Sequence, residues 1–534
     1  MRLAKSLLLV FIAFSLTAGA SAHEEHQHSS GSPEKVGTVH FPISCKAEVQ
    51  QPFERAVALL YSFWFEEAGK GFTSVTEMDP DCAMGYWGIA MSLWYPLWEH
   101  PTETILEQGW VAAQKAKAVG AKTDRERDYI TAIETFYKDA DKLNHRTRAL
   151  AYEKAMEQMY LRYPEDREAA VFYALALNAT ALPTDKTYTN QKKAGAILEK
   201  IFAEEPDHPG VAHYLIHSYD SPSLASRALA AARSYAKIAP SVPHALHMPS
   251  HIFTQLGLWQ ESIQSNRASA AAAKDHVMWR DRLHAMQYLE YAYLQSGQEA
   301  EAKSVLDELN AIGEVESANR GTAHAFAMIP ALYALERRQW AEAASLQPRS
   351  SGAPQTEAIT YFARAIGSAR SGNTTQARAD IEKLQSLHDA LIQAKEDYWP
   401  DHVEAQRQAA AAWLALAEGK NEEALQLMRS ATELEDSTGM NATTAVPLLP
   451  AHELLGDLLL ELHEPVQALH EFETALQMSS HRFNSLSGAA RAAQLAGDQE
   501  KAHTYYAQLV SLCDHADSAR AELTEARMFV AQRQ

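Results

Sequence analysis

The chain has 534 residues, with 68 Asp and Glu against 48 Lys and Arg, and a formal net charge of -20. A surface of that sign repels nucleic acid and anionic membrane, so neither is an expected partner. Three cysteines cannot frame a disulfide-built fold, and this length exceeds what one compact core usually supports, so several domains or a repeat array are expected.

Residues 1–22, MRLAKSLLLVFIAFSLTAGASA, have the form of a secretory signal: basic Arg2 and Lys5, an apolar run Leu7 to Leu16, then small Ala20, Ser21 and Ala22. The run is about half the length of a membrane-spanning helix, and no later stretch is continuously apolar for ~20 residues. No membrane insertion is expected, and the mature chain should be soluble and periplasmic or secreted, beginning at His23. Residues 23–38 contain HEEHQHSS (His23–Ser30) and are expected to be a flexible tail, with weak metal capture as the functional alternative. Val39 to Cys45 should be a short extended lead into the first helix. Cys45 and Cys82 stand 37 residues apart, close to one repeat period, and are a candidate disulfide, with free buried thiols the rival.

Ala-rich helical periodicity begins near residue 50. In YWGIAMSLWYPLW, Trp87, Met91 and Trp94 share one helical face, either as core or as an apolar anchor for a partner in a groove. Proline-containing breaks then recur: EMDPDC, RYPED, EEPDHP, IAPSVP. From Pro206 to Pro240 is 34 residues, from Gly257 to Gly297 is 40, and from Ala468 to Ala502 is again 34. Gln347 to Ala358 has the composition of a loop or seam, dividing an array at 39–346 from a second at 359–534.

Small residues and aromatics keep fixed offsets within these periods: Ala68, Phe72 and Pro80 early, and Leu455, Gly456, Ala468, Phe472 and Ala475 late. In these positions the chain resembles the tetratricopeptide repeat family, although His452 stands where the family often has tryptophan. The resemblance implies an all-α solenoid of antiparallel helix pairs wound into a superhelix, the first helix of each pair lining a concave groove that most often binds a protein or peptide.

Histidines fall in register on this frame. His213, His217 and Asp220 lie 7, 11 and 14 residues after Pro206, while His244, His247 and His251 lie 4, 7 and 11 after Pro240. Adding the 40-residue period carries His244 onto His284. Imidazoles at i and i+4 share a helical face and can share an ion. Pro249, between His247 and His251, removes an amide donor and bends the helix that carries them.

The candidate ligands are therefore His213, His217, His244, His247, His251 and His284, with His208 and Asp220 in supporting places. Zinc or copper suits such a set, as one ion or a pair. Three readings stay open: a groove-binding protein with a metal site, a metal-dependent enzyme of hydrolase or copper-oxidase type with Asp220 as candidate base, and a metal-free peptide scaffold. No G-x-S-x-G elbow, phosphate loop, H-E-x-x-H helix or Cys-x-x-Cys pair occurs, so no nucleotide or organic cofactor is indicated.

Overall fold

Apolar residues spaced three and four apart make helices here, and proline sets many of their starts. Pro209, Pro243, Pro354 and Pro465 each occupy a first helical position, where no intrahelical amide donor is needed. The computed structural model describes residues 34–97, 100–313, 315, 320–438, 448–518 and 520–532; the expected signal segment 1–22 and the tract His23–Ser30 lie outside the described residues. Lys35–Gln534 forms one compact unit.

Within it the described residues contain helices and no strand. Each helix packs antiparallel on the next: Pro209–Tyr219 with Ala225–Ile238, Trp259–Asp275 with Trp279–Gln295, Pro354–Arg370 with Thr374–Gln393, and Ala451–Glu461 with Pro465–Met478. This is the all-α, tetratricopeptide-like solenoid expected. Glycine permits the closest approaches: the Phe472 ring fills the place of a side chain at both Gly456 and Gly488, where an added Cβ would lie 2.8 and 2.3 Å from it. Residues 346–353 are non-helical and the next helix starts at Pro354, inside the expected loop, but the compact unit continues across it.

Two expectations are corrected. The flexible tail was drawn to residue 38, yet Lys35–Thr38 is docked: the Lys35 amide donates to Ser241 Oγ (3.0 Å), the Thr38 amide to the Asp207 carbonyl (3.3 Å), and Val36 and Val39 are buried. The alternation Val36, Val39, Phe41 supplies apolar anchors that the polar composition upstream concealed. Trp87, Met91 and Trp94 are 1–2% exposed and belong to the core, not to a groove. Trp87 meets Phe41, Phe53, Phe72, Tyr129 and Phe172 edge-on or tilted, and Tyr152 packs tilted against Trp94 while its hydroxyl reaches Met91 Sδ.

Cys45 and Cys82 are joined in a disulfide with Cα atoms 5.1 Å apart, tying the extended lead to the turn before Ala83–Met91. The bond closes 37 residues. On loop-closure entropy alone, Cys45→Ser with Cys82→Ser should cost about 3–4 kcal/mol, read as a lower unfolding midpoint in denaturant that dithiothreitol reproduces in the unaltered protein.

The array also turns back on itself. Ser480 Oγ donates to the Gln255 carbonyl (2.6 Å), Trp259 Nε1 to the His481 carbonyl (3.2 Å), and the Phe483 amide to Gln295 Oε1 (2.8 Å). At the centre of this junction Arg482 is fully buried, with a forked pairing to Glu453 (2.9 and 3.0 Å), a bond to Glu336 (2.8 Å) and one to Tyr291 Oη (2.9 Å). What would be a shallow groove in a straight array is thereby a deeper, partly open hollow.

Candidate metal centre

Three successive inner helices carry the histidines. Pro209–Tyr219 holds His213 and His217. The next inner helix is broken by Pro249 into Pro243–His247 and Pro249–Gln255, with Met248 still in helical conformation at the joint. The third, Trp279–Gln295, holds His284.

The side chains form two triads, His213 with His217 and His244, and His247 with His251 and His284; within each triad, one ligand atom per residue lies within 4.8 Å of the others. In the first triad His217 Nε2 and His244 Nε2 stand 3.0 and 3.2 Å from His213 Nε2. In the second, His247 Nε2 is 3.1 Å from His251 Nε2. Two imidazole nitrogens on one tetrahedral ion, each at ~2.0–2.1 Å, sit about 3.3 Å apart. The triads adjoin, with rings of His217 and His251, and of His244 and His247, 6.3 Å apart between centroids.

The decisive detail is where the protons are. His251 Nδ1 is 2.7 Å from Asp220 Oδ2, and a carboxylate there requires the proton on Nδ1. His247 Nδ1 is 2.6 Å from Asn266 Oδ1, and Asn266 Nδ2 donates to the Ser262 carbonyl (2.8 Å), which fixes the amide with its oxygen toward the ring. With both rings neutral, the two Nε2 atoms are lone pairs facing each other across 3.1 Å. His213 repeats the device, its Nδ1 donating to the Tyr61 carbonyl (2.6 Å), so that its Nε2 is bare as well. Lone pairs at such separations repel unless a cation lies between them, and braced rings of this kind are the usual outer support of metal-bound histidine.

Burial favours the neutral form of His213, His217, His244, His247 and His284. It pushes His213 and His247 down to about 3, and His217, His244 and His284 well below the ordinary histidine range, with neighbouring imidazoles adding to the effect. Neutral imidazole is the ligand form.

Asp220 was placed on the helical face as a candidate base. It lies just beyond the helix, as the cap residue before Ser221 and Pro222, and both its oxygens are engaged, one by His251 and the other by Gln255 Nε2 (3.1 Å). It orients the His251 ring. His208 does not join the triads: its Nδ1 accepts from the Val211 amide (3.2 Å) and its Nε2 faces Glu168 (3.3 Å), so it caps the helix and reaches the centre only through Tyr61, whose ring it touches.

Sequence spacing missed Tyr61, Asn266, Tyr288 and Phe63. Tyr288 Oη lies 3.4 Å from His251 Nε2. Phe63 adopts φ 56°, a left-handed backbone that costs a non-glycine residue ~1–2 kcal/mol. That conformation lays its ring against His213, His217 and His244, with centroids 4.5, 5.6 and 5.8 Å away. The same left-handed turn closes other helices of the array, at Gly257, Gly297, Arg338 and His463. The aromatic run Tyr61 to Phe65 was the available signal, but nothing in the spacing says which ring turns inward.

No protein-family model and no curated protein matches the chain. Solved structures similar to it include human IFIT1 with a capped RNA, m7Gppp-AAAA (13% identity, 80% of this chain and 90% of that one, TM-score 0.37), and yeast Tom70 (10%, 91% and 96%, 0.34). A tetratricopeptide repeat protein from Parabacteroides merdae matches over 55% of this chain and 99% of its own (12% identity, TM-score 0.29).

The chain has a tetratricopeptide-like fold.

The helix pairing carries that statement, and the site must be read from its own atoms. In this tetratricopeptide-like frame His217 of the first triad and Asp220 line a hollow of about 730 Å³. Its far wall comes from the later repeats: His324, Tyr398, Trp399, His402, Glu435 and Asp436. Burial lowers His324 and His402 to about 4, the first also by the second. No helix among the described residues is long and apolar enough to cross a membrane.

Glu435, whose oxygens accept from the Ala451 amide (3.0 and 3.2 Å), is pushed by burial up to about 7 from 4.5. The folded protein thus holds this proton to higher pH than the unfolded chain, so the contribution to stability is full below pH 4.5 and lost as pH rises through 7. Glu435→Gln should match the unaltered protein at pH 5 and exceed it at pH 8, by on the order of 1–3 kcal/mol; parallel melts at the two pH values read the difference.

Proposed function

We propose that this protein is a paired-metal protein, holding two closely spaced ions, each on three imidazoles, beside a partly open hollow. The observation that supports the reading is the facing of His247 Nε2 and His251 Nε2 at 3.1 Å, with the Nδ1 of each ring held by Asn266 or Asp220. His213, His217 and His244 would hold the first ion, and His247, His251 and His284 the second.

An all-imidazole set without a direct carboxylate ligand favours copper, with zinc next, over magnesium, calcium or manganese. Three ligands per ion leave a coordination position for a substrate or water, which is the catalytic rather than the structural pattern. The test is elemental analysis of protein purified without an affinity tag or chelator. Two copper ions per chain support the reading, two zinc ions move it to hydrolytic chemistry, and protein that neither carries nor takes up either metal overturns it.

A further inference from the structure

We infer that the hollow beside the paired-metal site is a substrate chamber for a hydroxylated aromatic amine of one or two rings; this deepens the reading above and rests on it. The cavity, about 730 Å³, falls in the range of small-molecule sites. Its two ends differ in chemistry. At one end, His217 and Asp220 open it to the first triad, where an electron-rich oxygen such as a phenol hydroxyl would meet the ion's open position.

At the other end aromatic faces and carboxylates meet. Tyr398 stacks on His402 (5.9 Å, 19°) and Trp399 meets His402 edge-on (5.8 Å, 83°). Glu435 and Asp436 line the same wall. Around the whole cavity four carboxyl groups, those of Asp185, Asp220, Glu435 and Asp436, stand against the single ammonium of Lys186, with Glu435 adding its charge above about pH 7. That balance repels an anionic ligand, and aromatic faces beside carboxylates attract an organic cation. Gln355, 5% exposed, also lines the chamber, and its Nε2 has no hydrogen-bond partner among the described residues. A ligand with an oxygen at one pole and an ammonium at the other satisfies both ends; a peptide backbone offers a carbonyl oxygen but no ammonium.

The experiment compares three probes that share a ring and differ in charge: tyramine, 4-ethylphenol and 3-(4-hydroxyphenyl)propanoate. Each is titrated calorimetrically into the full chain, with bound metal measured in the same samples. Tyramine should bind at least ~10-fold tighter than 4-ethylphenol, and the carboxylate should not bind. Glu435→Gln with Asp436→Asn should bring tyramine to the level of 4-ethylphenol, leave 4-ethylphenol unchanged and leave metal content unchanged. Equal affinities for the three probes, preference for the anion, or tyramine binding indifferent to the double variant would overturn the chamber assignment even in metal-loaded protein. The charge series in unaltered protein decides the matter if the double variant does not fold. Metal-free protein that still prefers tyramine through the far wall would instead keep the chamber and remove the paired-metal reading.

Discussion

Protein recovered without chelators should contain two copper ions per chain, and His247→Ala should lose at least one of them. His247 sits in the second triad and also lies beside the first, so its removal strips one of three ligands from one ion and an adjoining ring from the other. The double variant His213→Ala, His247→Ala should bind no copper more tightly than a peptide spanning His23–Ser30. The bracing groups give a graded version of the same test. Asn266→Leu and Asp220→Asn leave all six imidazoles in place but release the tautomers of His247 and His251, and should weaken metal binding about 10–100-fold. Loading should raise stability by ~4 kcal/mol when free metal exceeds the dissociation constant a thousandfold, seen as a higher melting temperature in the unaltered protein and not in the double histidine variant. Full copper occupancy in that double variant would remove the assignment of these ligands.

The second large effect is expected at Arg482→Met. The guanidinium is wholly buried and satisfies Glu453 and Glu336 together, so removing it strands two carboxylates in the interior. Breaking a buried pair in this way costs ~3–5 kcal/mol, whereas replacing every charged partner is often close to neutral. Arg482→Met combined with Glu336→Gln and Glu453→Gln should therefore recover most of the midpoint lost in urea. Arg482→Lys should fall between, since an ammonium cannot reproduce the fork to Glu453. An Arg482→Met protein as stable as the unaltered one would show that this junction does not hold the fold.

Helices and their pairing were legible because period and proline are local signals: Pro206 to Pro240, or Gly456 with Phe472, announce themselves in the chain. The register of His213 with His247 and of His217 with His251 was legible for the same reason. What lay outside the sequence was everything fixed by the third dimension. Asn266 braces His247 from an outer helix, Tyr61 offers a backbone carbonyl that no residue type reveals, and Phe63 turns inward only because its backbone is left-handed. Trp87, Met91 and Trp94 form a helical stripe that reads alike for a core and for a groove, and packing by Phe41 and Tyr129 decided it. The hollow itself depends on residues some 200 positions apart, Gln255 and Ser480, meeting at 2.6 Å.

That meeting bears on how the protein comes apart. An open stack of repeats melts piecemeal, its ends fraying first, because each unit touches only its neighbours. Here the units near Gln255 and those near Ser480 hold one another, as a belt is held by its buckle, and neither side of the join can peel away without first undoing the polar knot at Arg482. Hydrogen exchange should then show the helices on both sides of the buckle opening together in one step, with the slow, high-contact-order assembly that distant partners impose on a folding chain.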